Sequence, residues 1–399
     1  MLNQNTLSRH IVVFDPMPFH GGSKVATQSI LSLCDEPNMT VSVITAHPKG
    51  WENTGLQGHI SVNILSIPFA SVVSKLKGRA FYLLLVYRLF WCLIYLAWLP
   101  KVSLLVGSTQ PGSDMPLYFL KRWFGYPVLQ FIHGPVGNSR SVAWCLKNAD
   151  KIYYLDSAVE SILIALNLSP QPSQHSDFAV TGATKPLTLE DINASRFING
   201  LSVAQWPRLR NQSRARVFWA ASLLKWKNLD LLTEALSMQT QPISGDVCYI
   251  RPSKMVALQD QCVAPQNTPR ITWHQQPNNL DEIRMNSSIF VSTSVNEPFG
   301  LSILEAMAAG LCPVIPHDGA YWDNQLTDGV NCIKYTANDA SSLASKLQFI
   351  TQHHLARENI SIAALEYAQH YQADNVYRDI LTSIMSLSKP AMLHEASNE

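Results

Sequence analysis

The chain has 399 residues, of which 47% are hydrophobic and 15% are charged, and its formal net charge is +1. This composition predicts a globular protein with room for two domains and excludes a disordered chain. The near-neutral charge gives no indication of nucleic-acid binding. Seven cysteines without a CxxC pair indicate a reducing compartment. Residues 1–10 lack the apolar core of a signal peptide, so we expect a cytoplasmic protein.

The first half of the chain alternates predicted strands with predicted helices. The apolar runs that predict strands are 11–14, 41–45, 60–65, 102–107, 128–132 and 149–155, the last being the final strand of this half. The first strand leads through a loop with Gly21 and Gly22 into a helix, which indicates a doubly wound α/β unit. The glycine pair is either a tight turn or a surface where a ligand approaches the backbone. Residues 169–176 predict a loop.

Residues 81–99 form a very apolar segment whose one charge is Arg88. Its length just reaches that of a membrane span, but a charge near the middle is costly, so we expect no span. Two interpretations remain. The segment is a core helix, or it is a helix with one face on the membrane, which its aromatic residues and the preceding Lys75, Lys77 and Arg79 favour.

The strand and helix alternation restarts after a basic, poorly patterned linker at 196–216. The sequence therefore predicts an N-terminal domain at 1–195, a C-terminal domain at 217–375, and a helix and loose tail at 376–399, with a ligand cleft between the two domains. Strands are predicted at 217–221, 247–250, 270–273, 288–292, 311–316 and 332–335. Helices are predicted at 229–236, 279–284, 340–350, 356–371 and 375–387, and a loop at 321–329.

One short helix between two predicted strands carries the strongest signal. Glu297 precedes Pro298 and therefore lies in a loop, Gly300 opens the helix, and Gly310 ends it. A second carboxylate, Glu305, lies about two turns inside. The unpaired N–H groups between the two carboxylates are suited to holding an anion.

Lys227 lies in the corresponding strand-to-helix loop at the start of the same domain. The lysine and the helix N-terminus both attract negative charge, so a phosphate-bearing ligand suits the site, and Glu305 can accept hydrogen bonds from ribose hydroxyls. The alternatives are a solvated Glu305 and an exposed Lys227. His133 ends a predicted strand, where it is either structural or at the ligand edge. We find no metal-ligand cluster and no nucleophile elbow in the sequence.

The segment 297–310 resembles the E-x7-E motif of the family 4 (group 1) glycosyltransferases. The Gly21–Gly22 loop, Asn199–Gly200 and the segment 221–232 are also similar to parts of that family. The resemblance implies a GT-B fold, in which two Rossmann-like doubly wound domains face a cleft and the C-terminal domain binds the nucleotide-sugar. It also implies a bacterial polysaccharide-biosynthesis type.

The resemblance implies a role for each matching residue. Glu305 would bind the ribose, and Glu297 the hydroxyls of the donor sugar. Lys227 would neutralise the diphosphate, and His133 would contact the transferred sugar. Backbone groups of both domains would approach the diphosphate, the sugar or the acceptor; they belong to Phe299, Gly300, Leu301, Gly21 and Gly22. No metal is implied, and no cofactor, because the nucleotide-sugar is a substrate.

The sequence departs from the family pattern at two positions, Ser222 and Asn228, the second of which stands where the family has a glycine after its lysine. Ser222 stands where the family has a phosphate-binding arginine, so Lys225 or Arg251 is expected to compensate, or the diphosphate is held more weakly. The family retains anomeric configuration, whereas related bacterial transferases with a similar motif invert. An inverting enzyme would need a general base in the N-terminal half, for which Asp15 and His133 are the candidates.

The sequence thus predicts a metal-independent hexosyltransferase that uses GDP-mannose or a UDP-sugar. We expect a saccharide or lipid-linked saccharide acceptor of lipopolysaccharide or exopolysaccharide biosynthesis, and peripheral contact with the inner face of the membrane through residues 75–99. The alternatives are a nucleotide-sugar epimerase of the same fold, a non-catalytic binding protein and a two-domain scaffold.

Overall fold

The computed structural model describes residues 9–19, 21–34, 39–52, 61–73, 76, 78–168, 186–211, 214–252 and 260–388. Lys75, Lys77, the predicted loop at 169–176 and the tail at 389–399 lie outside the described residues. The chain divides into two units. The first is Met1–Ile198 together with Tyr377–Glu399, and the second is Asn199–Val376.

The first unit is built on a seven-stranded parallel sheet. Its strands are β1 (Arg9–Asp15), β2 (Met39–Thr45), β3 (Ser61–Ser66), β4 (Leu104–Gly107), β5 (Val128–Ile132), β6 (Lys151–Tyr154) and β7 (Ala194–Arg196). Their order is β3-β2-β1-β4-β5-β6-β7. The direction of winding therefore reverses between β1 and β4, and the carboxyl edge at such a reversal is where open α/β sheets bind ligands.

The helices of this part alternate with the strands, as the sequence predicts. They are α1 (Gly22–Ser32), α2 (Ala70–Val73), α3 (Phe81–Trp98), α4 (Met115–Phe124), α5 (Arg140–Asn148) and α6 (Val159–Leu166). The expectation that 149–155 holds the last strand is wrong, because β7 pairs with β6 in the register Ile152↔Ala194. Its three residues, Ala-Ser-Arg, are too few and too polar to form an apolar run.

Helix α3 has one buried and one exposed face. Leu84, Leu85 and Cys92 are buried in the first unit, whereas Leu83, Val86 and Phe90 are exposed. Arg88 points inward and donates hydrogen bonds to the carbonyls of Pro16 at 3.2 Å and Ser113 at 3.4 Å. Within the described residues, α3 is the one helix long and apolar enough to cross a membrane by length and composition, and 22% of it is buried.

The second unit is built on a six-stranded parallel sheet. Its strands are β8 (Val217–Ser222), β9 (Gly245–Ile250), β10 (Ile271–Gln275), β11 (Ile289–Val291), β12 (Cys312–His317) and β13 (Ile333–Thr336). The order is β10-β9-β8-β11-β12-β13, so winding reverses between β8 and β11. The loops that follow these two strands are the ones that contain Lys227 and Glu297.

The helices of the second unit flank this sheet. They are α7 (Leu229–Ser237), α8 (Leu280–Met285), α9 (Leu301–Ala308), α10 (Tyr321–Gln325), α11 (Ala340–Gln352), α12 (His354–Ala368) and α13 (Ala373–Val376). The predicted loop at 321–329 is wrong in its first part, because buried Trp322 anchors α10 there. The helix predicted at 375–387 is interrupted at Tyr377, so that α13 ends before it and α14 (Arg378–Leu387) follows.

The two ends of the second unit are joined to each other. The N–H of Leu201 donates to the carbonyl of Tyr371, and the N–H of Ala373 donates to the carbonyl of Leu201, both at 2.9 Å. A Cβ on Gly200 would lie 2.8 Å from the Tyr371 carbonyl oxygen, so this close approach of two backbones requires glycine. Helix α14 then belongs to the first unit, where the hydroxyl of Tyr153 donates to the Asp379 carbonyl at 2.9 Å.

Candidate active site

The loop between β11 and α9 depends on a glycine. Gly300 has a φ of +79°, and a Cβ on it would come within 3.0 Å of Glu297 Cγ and of Ile303 Cδ1. The left-handed backbone therefore brings the chain close to the Glu297 side chain, as only glycine permits. Trp322 Nε1 donates to the Gly300 carbonyl at 3.1 Å and fixes this turn from the other side.

Helix α9 has eight residues and Glu305 is the fifth of them, so this carboxylate lies one turn inside the helix, not the predicted two. The amides of Leu301 and Ser302 begin the helix and have no intrahelical acceptor. Together with the positive end of the helix dipole, they form a donor surface for an anion. Gly310, with a φ of +77°, follows the end of the helix, as predicted.

Lys227 and Glu297 form an ion pair in which each side chain is 14% exposed. Lys227 ends a short 3₁₀ helix, Lys225–Lys227, and its ammonium lies 4.0 Å from the centroid of the Trp226 ring. The β8–α7 and β11–α9 loops are tied together, because the Val295 N–H donates to the Trp226 carbonyl at 2.9 Å. The structure thus brings together two of the predicted charged residues.

Glu305 pairs with a residue that the sequence did not single out. Arg284, near the end of α8, donates from Nη2 to Glu305 Oε2 at 2.6 Å. Burial raises the pKa of Glu305, and the Arg284 charge opposes that rise. In the sequence, Arg284 follows Asp281 by three residues and therefore looks like part of an exposed helical ion pair.

The Phe299 ring is part of the packing of the second unit. It is buried among aromatic rings, with centroids 4.8 Å from Tyr321, 5.2 Å from Trp322 and 6.2 Å from Tyr371. The predicted role of Phe299 concerns its backbone N–H and stays a prediction. Its side chain anchors the loop that carries Glu297.

A small pocket of about 10 Å³, enough for a single water molecule, lies beside Glu297. Its lining includes Ser292, Ser294, Asp318 and Asp323. Burial raises the pKa of Asp323, but hydrogen bonds from its neighbours outweigh burial and lower it to about 2. Those donors are His317, Lys334 and the N–H of Gly319.

The three residues connected with the missing family arginine have defined positions. Ser222 is the last residue of β8 and pairs in register with Ile250. Lys225 is exposed and pairs with Asp230 at 2.6 Å. Arg251 donates to the Ala264 carbonyl at 2.9 Å and to Gln275 Oε1 at 3.2 Å. Each of these two cations is therefore already paired with a protein group.

In the first unit, Gly21 is the N-cap of α1 and Gly22 is its first residue. The φ of Gly21 is −158°, which any residue adopts, so the backbone conformation does not require glycine. A Cβ on Gly21 would lie 3.8 Å from the Phe19 ring, an ordinary contact. Glycine instead leaves the amides at this helix N-terminus uncovered.

The two candidate bases of the first unit both have buried polar atoms but differ in their hydrogen bonding. The Asp15 carboxylate is buried and occupied, since it accepts hydrogen bonds from Lys24, from Thr45 Oγ1 at 2.9 Å and from Trp51 Nε1 at 2.7 Å. Both ring nitrogens of His133 are buried and have no hydrogen-bond partner in the described part of the chain. Burial lowers the pKa of His133 to about 4, so the ring is neutral at pH 7.

Over the described ranges, no group of three or more His, Cys, Asp or Glu residues is arranged to hold a metal ion. Two ion pairs lie next to α9, Lys227 with Glu297 and Arg284 with Glu305.

Comparison with known proteins gives one family. The model described as "Glycosyl transferases group 1" matches residues 204–367, which covers β8 to β13. A comparison with curated protein sequences finds no match.

Solved structures similar to this chain cover nearly all of it. HepE of Anabaena, in complex with UDP and glucose, is 14% identical with a TM-score of 0.68, covering 95% of this chain and 100% of HepE. Sucrose-phosphate synthase of Thermosynechococcus elongatus is also 14% identical with a TM-score of 0.68, covering 95% and 98%. The lipopolysaccharide outer core galactosyltransferase WaaB is 12% identical with a TM-score of 0.58, covering 94% and 99%.

At these identities the structural likeness shows the fold, which is the predicted GT-B fold of two Rossmann-like parallel-sheet domains. The family match concerns the second unit. Residues 204–367 match the group 1 glycosyl transferase family model, and the chain as a whole has the GT-B fold.

Proposed function

We propose that this enzyme transfers a hexosyl group from a nucleoside diphosphate sugar, with uridine as the favoured base, to a saccharide hydroxyl. The observation that carries the proposal is the charged set around the N-terminus of α9, where Lys227 pairs with Glu297 and Glu305 lies one turn inside. UDP bound to the similar HepE structure supports uridine over the guanosine alternative.

Each group has a role in donor binding that its position suits. Glu305 accepts hydrogen bonds from the ribose hydroxyls. The Leu301 and Ser302 amides and the Lys227 ammonium hold the diphosphate. Lys227 meets Glu297 when no ligand is present, and the ammonium exchanges this carboxylate for the phosphate when the donor binds. Glu297 then accepts hydrogen bonds from the donor sugar.

In the proposed reaction, the bond between the anomeric carbon and the diphosphate oxygen breaks. The acceptor oxygen bonds to the same carbon, and its proton goes to the departing diphosphate. Lys227 and the α9 amides stabilise the charge that develops on that leaving group, so we propose that no metal is needed.

We propose that the configuration is retained. Inversion needs a general base whose pKa lies near the working pH. The Asp15 carboxylate is held by Lys24, Thr45 and Trp51, and the pKa of His133 is about 4. These environments support retention and suit a neutral His133 that forms hydrogen bonds to the transferred sugar.

The exposed face of α3 supports a lipid-linked acceptor and peripheral membrane contact. Leu83, Val86 and Phe90 recur at helical spacing on this face, while Arg88 is held inside the first unit. Helix α4 packs against α3 and carries exposed Trp123 and Phe124 after two basic residues. We propose that this surface rests on an anionic membrane in lipopolysaccharide or exopolysaccharide biosynthesis.

The donor is tested first by thermal shift with UDP, GDP and their sugars, and then by transfer to saccharide acceptors. Glu305→Ala is expected to remove the nucleotide shift, whereas Lys346→Ala, a lysine of α11, serves as the matched control. Conversion of the donor sugar without an acceptor would favour an epimerase. Tight binding without transfer to any acceptor would favour a binding protein, and no nucleotide shift would favour a scaffold.

Membrane contact is tested by flotation with phosphatidylglycerol vesicles. The triple variant Leu83→Ser, Val86→Ser, Phe90→Ser is expected to stay at the bottom of the gradient, where the wild type floats. Ile362→Ser changes an exposed apolar residue of α12 and is expected to float like the wild type. A wild type that ignores vesicles would contradict this part of the proposal.

A further inference from the structure

The two oxygens of the Glu305 carboxylate have different environments. Oε2 accepts a hydrogen bond from Arg284 Nη2 at 2.6 Å. Oε1 has no hydrogen-bond partner among the described residues, and the side chain is 27% exposed. One oxygen is therefore held by the protein while the other is free to accept a hydrogen bond from a ligand.

Arg284 is not a surface cation that happens to reach Glu305. Its side chain is 6% exposed, and its guanidinium carbon lies 5.9 Å from the centroid of the Phe218 ring. Its other ion-pair contact, from Nη1 to Asp281, is longer at 3.3 Å, and its Nε has no partner in the described part of the chain. A buried guanidinium is costly unless it is paired, so Glu305 is its principal partner.

The two residues of this pair lie in the helices that precede and follow β11 along the chain. Arg284 is near the end of α8, immediately before β11, and Glu305 is in α9, immediately after the β11 loop. A short charge-assisted hydrogen bond between two helices fixes the direction of the carboxylate. The direction of Glu305 is thereby set by a residue that does not itself reach the open oxygen.

The charge of Arg284 also acts on the protonation of this carboxyl. Burial raises the pKa of Glu305, the Arg284 charge lowers it, and Asp281 raises it. Two charged residues of α12, the helix packed against α9, are engaged elsewhere, since Glu358 pairs with Arg210 and Arg357 donates to the Ile350 carbonyl. Of these groups, Arg284 is the one whose charge lowers the pKa of Glu305.

We propose that Arg284 is a positioning residue that holds Oε2 of Glu305 so that Oε1 accepts a hydrogen bond from a ribose hydroxyl of the donor. The inference rests on the proposed function, because it assigns the ribose to Glu305. It predicts that loss of Arg284 weakens recognition of the ribose rather than of the diphosphate.

Calorimetric titration with UDP and with 2′,3′-dideoxyuridine diphosphate, from pH 6 to pH 9, separates these effects. The ratio of the two affinities reports the ribose hydroxyls alone, because titration of the diphosphate cancels. We expect the wild type to prefer UDP by about 10- to 100-fold at every pH. In Arg284→Met the preference falls by about ten-fold, because the carboxylate is no longer held in the direction that the ribose hydroxyl needs.

Two further variants complete the test. Arg208→Met removes another partner of Asp281 without touching Glu305 and is expected to keep the wild-type ratio. If Arg284→Met does not fold, Arg284→Gln fills the same space without charge and is expected to show the same loss. A wild type that discriminates, with Arg284 variants that discriminate equally at all pH values, would overturn the inference alone. A wild type that does not bind UDP, or binds both ligands equally, would overturn the donor assignment and the inference with it.

Discussion

Replacing Gly300 with alanine tests whether the turn before α9 is built around a glycine. The residue has a φ of +79°, and the new Cβ would lie 3.0 Å from both Glu297 Cγ and Ile303 Cδ1. The left-handed conformation alone costs an alanine about 1–2 kcal/mol. The two contacts add to this cost, because either Glu297 or the helix start has to move.

The expected magnitude follows from the size of the second unit. For a domain of this class, 1 kcal/mol corresponds to a change of about 2–4 °C in Tm, so strain at φ alone lowers Tm by about 2–8 °C. Gly329→Ala is the matched control. Gly329 has a φ of +73°, but a Cβ on it meets no atom within 4 Å. An alanine there therefore has the backbone strain without a steric contact.

The assays are calorimetric melting and sugar transfer on both variants. Gly300→Ala is expected to melt below Gly329→Ala and to lose transfer, because its Cβ displaces Glu297 from Lys227. Gly329→Ala is expected to keep wild-type transfer. Equal melting temperatures and equal transfer in the two variants would refute the reasoning that the close approach at Gly300 positions Glu297.

Three further predictions concern charged groups. Lys227→Ala is expected to lower kcat by about 100- to 1000-fold; retained turnover would move the phosphate site to Lys225 or Arg251. Burial lowers the pKa of His133 from 6.5 to about 4, so its contribution of about 3 kcal/mol is complete above pH 6.5 and is lost as pH falls toward 4. The Tm of His133→Leu should therefore fall less than that of the wild type as pH is lowered from 6.5 to 4. An equal fall in the two proteins would contradict this. Asp323, whose pKa is lowered from 3.8 to about 2, stabilises the fold above pH 3.8 by about 2 kcal/mol, and this is lost as pH falls through 2. Asp323→Asn is expected to melt earlier at pH 5 and to approach the wild type near pH 2; a constant difference would exclude this linkage.

The parts of the fold that were predictable are those that depend on local pattern. A buried parallel strand such as β4 is a continuous apolar run, which is visible in the sequence. Strand β7 has three residues and α10 has five, too few for a period to appear. Strand β7 forms because it pairs with β6, and α10 forms because buried Trp322 anchors it.

The same distinction between local pattern and tertiary contact applies to the residues of the candidate site. Glu297, Gly300 and Glu305 follow from spacing within one segment and from the family resemblance. Arg284 does not, because its partner is 21 residues away and only the tertiary fold brings them together. The pairing of Lys225 with Asp230, rather than with a phosphate site, is likewise a matter of side-chain geometry that spacing does not determine.

The joined ends of the second unit have a consequence for synthesis. Because Leu201 pairs with the backbone at 371–373, the segment Asn199–Val376 is a closed insertion within the first unit. The ribosome synthesises this whole insertion before it synthesises α14. The first unit needs α14 for the contact of Tyr153 with Asp379. Since domains fold as units during translation, the second unit can finish folding while the first still awaits its last helix. Truncation before α14 would therefore damage the domain synthesised first and spare the one synthesised last.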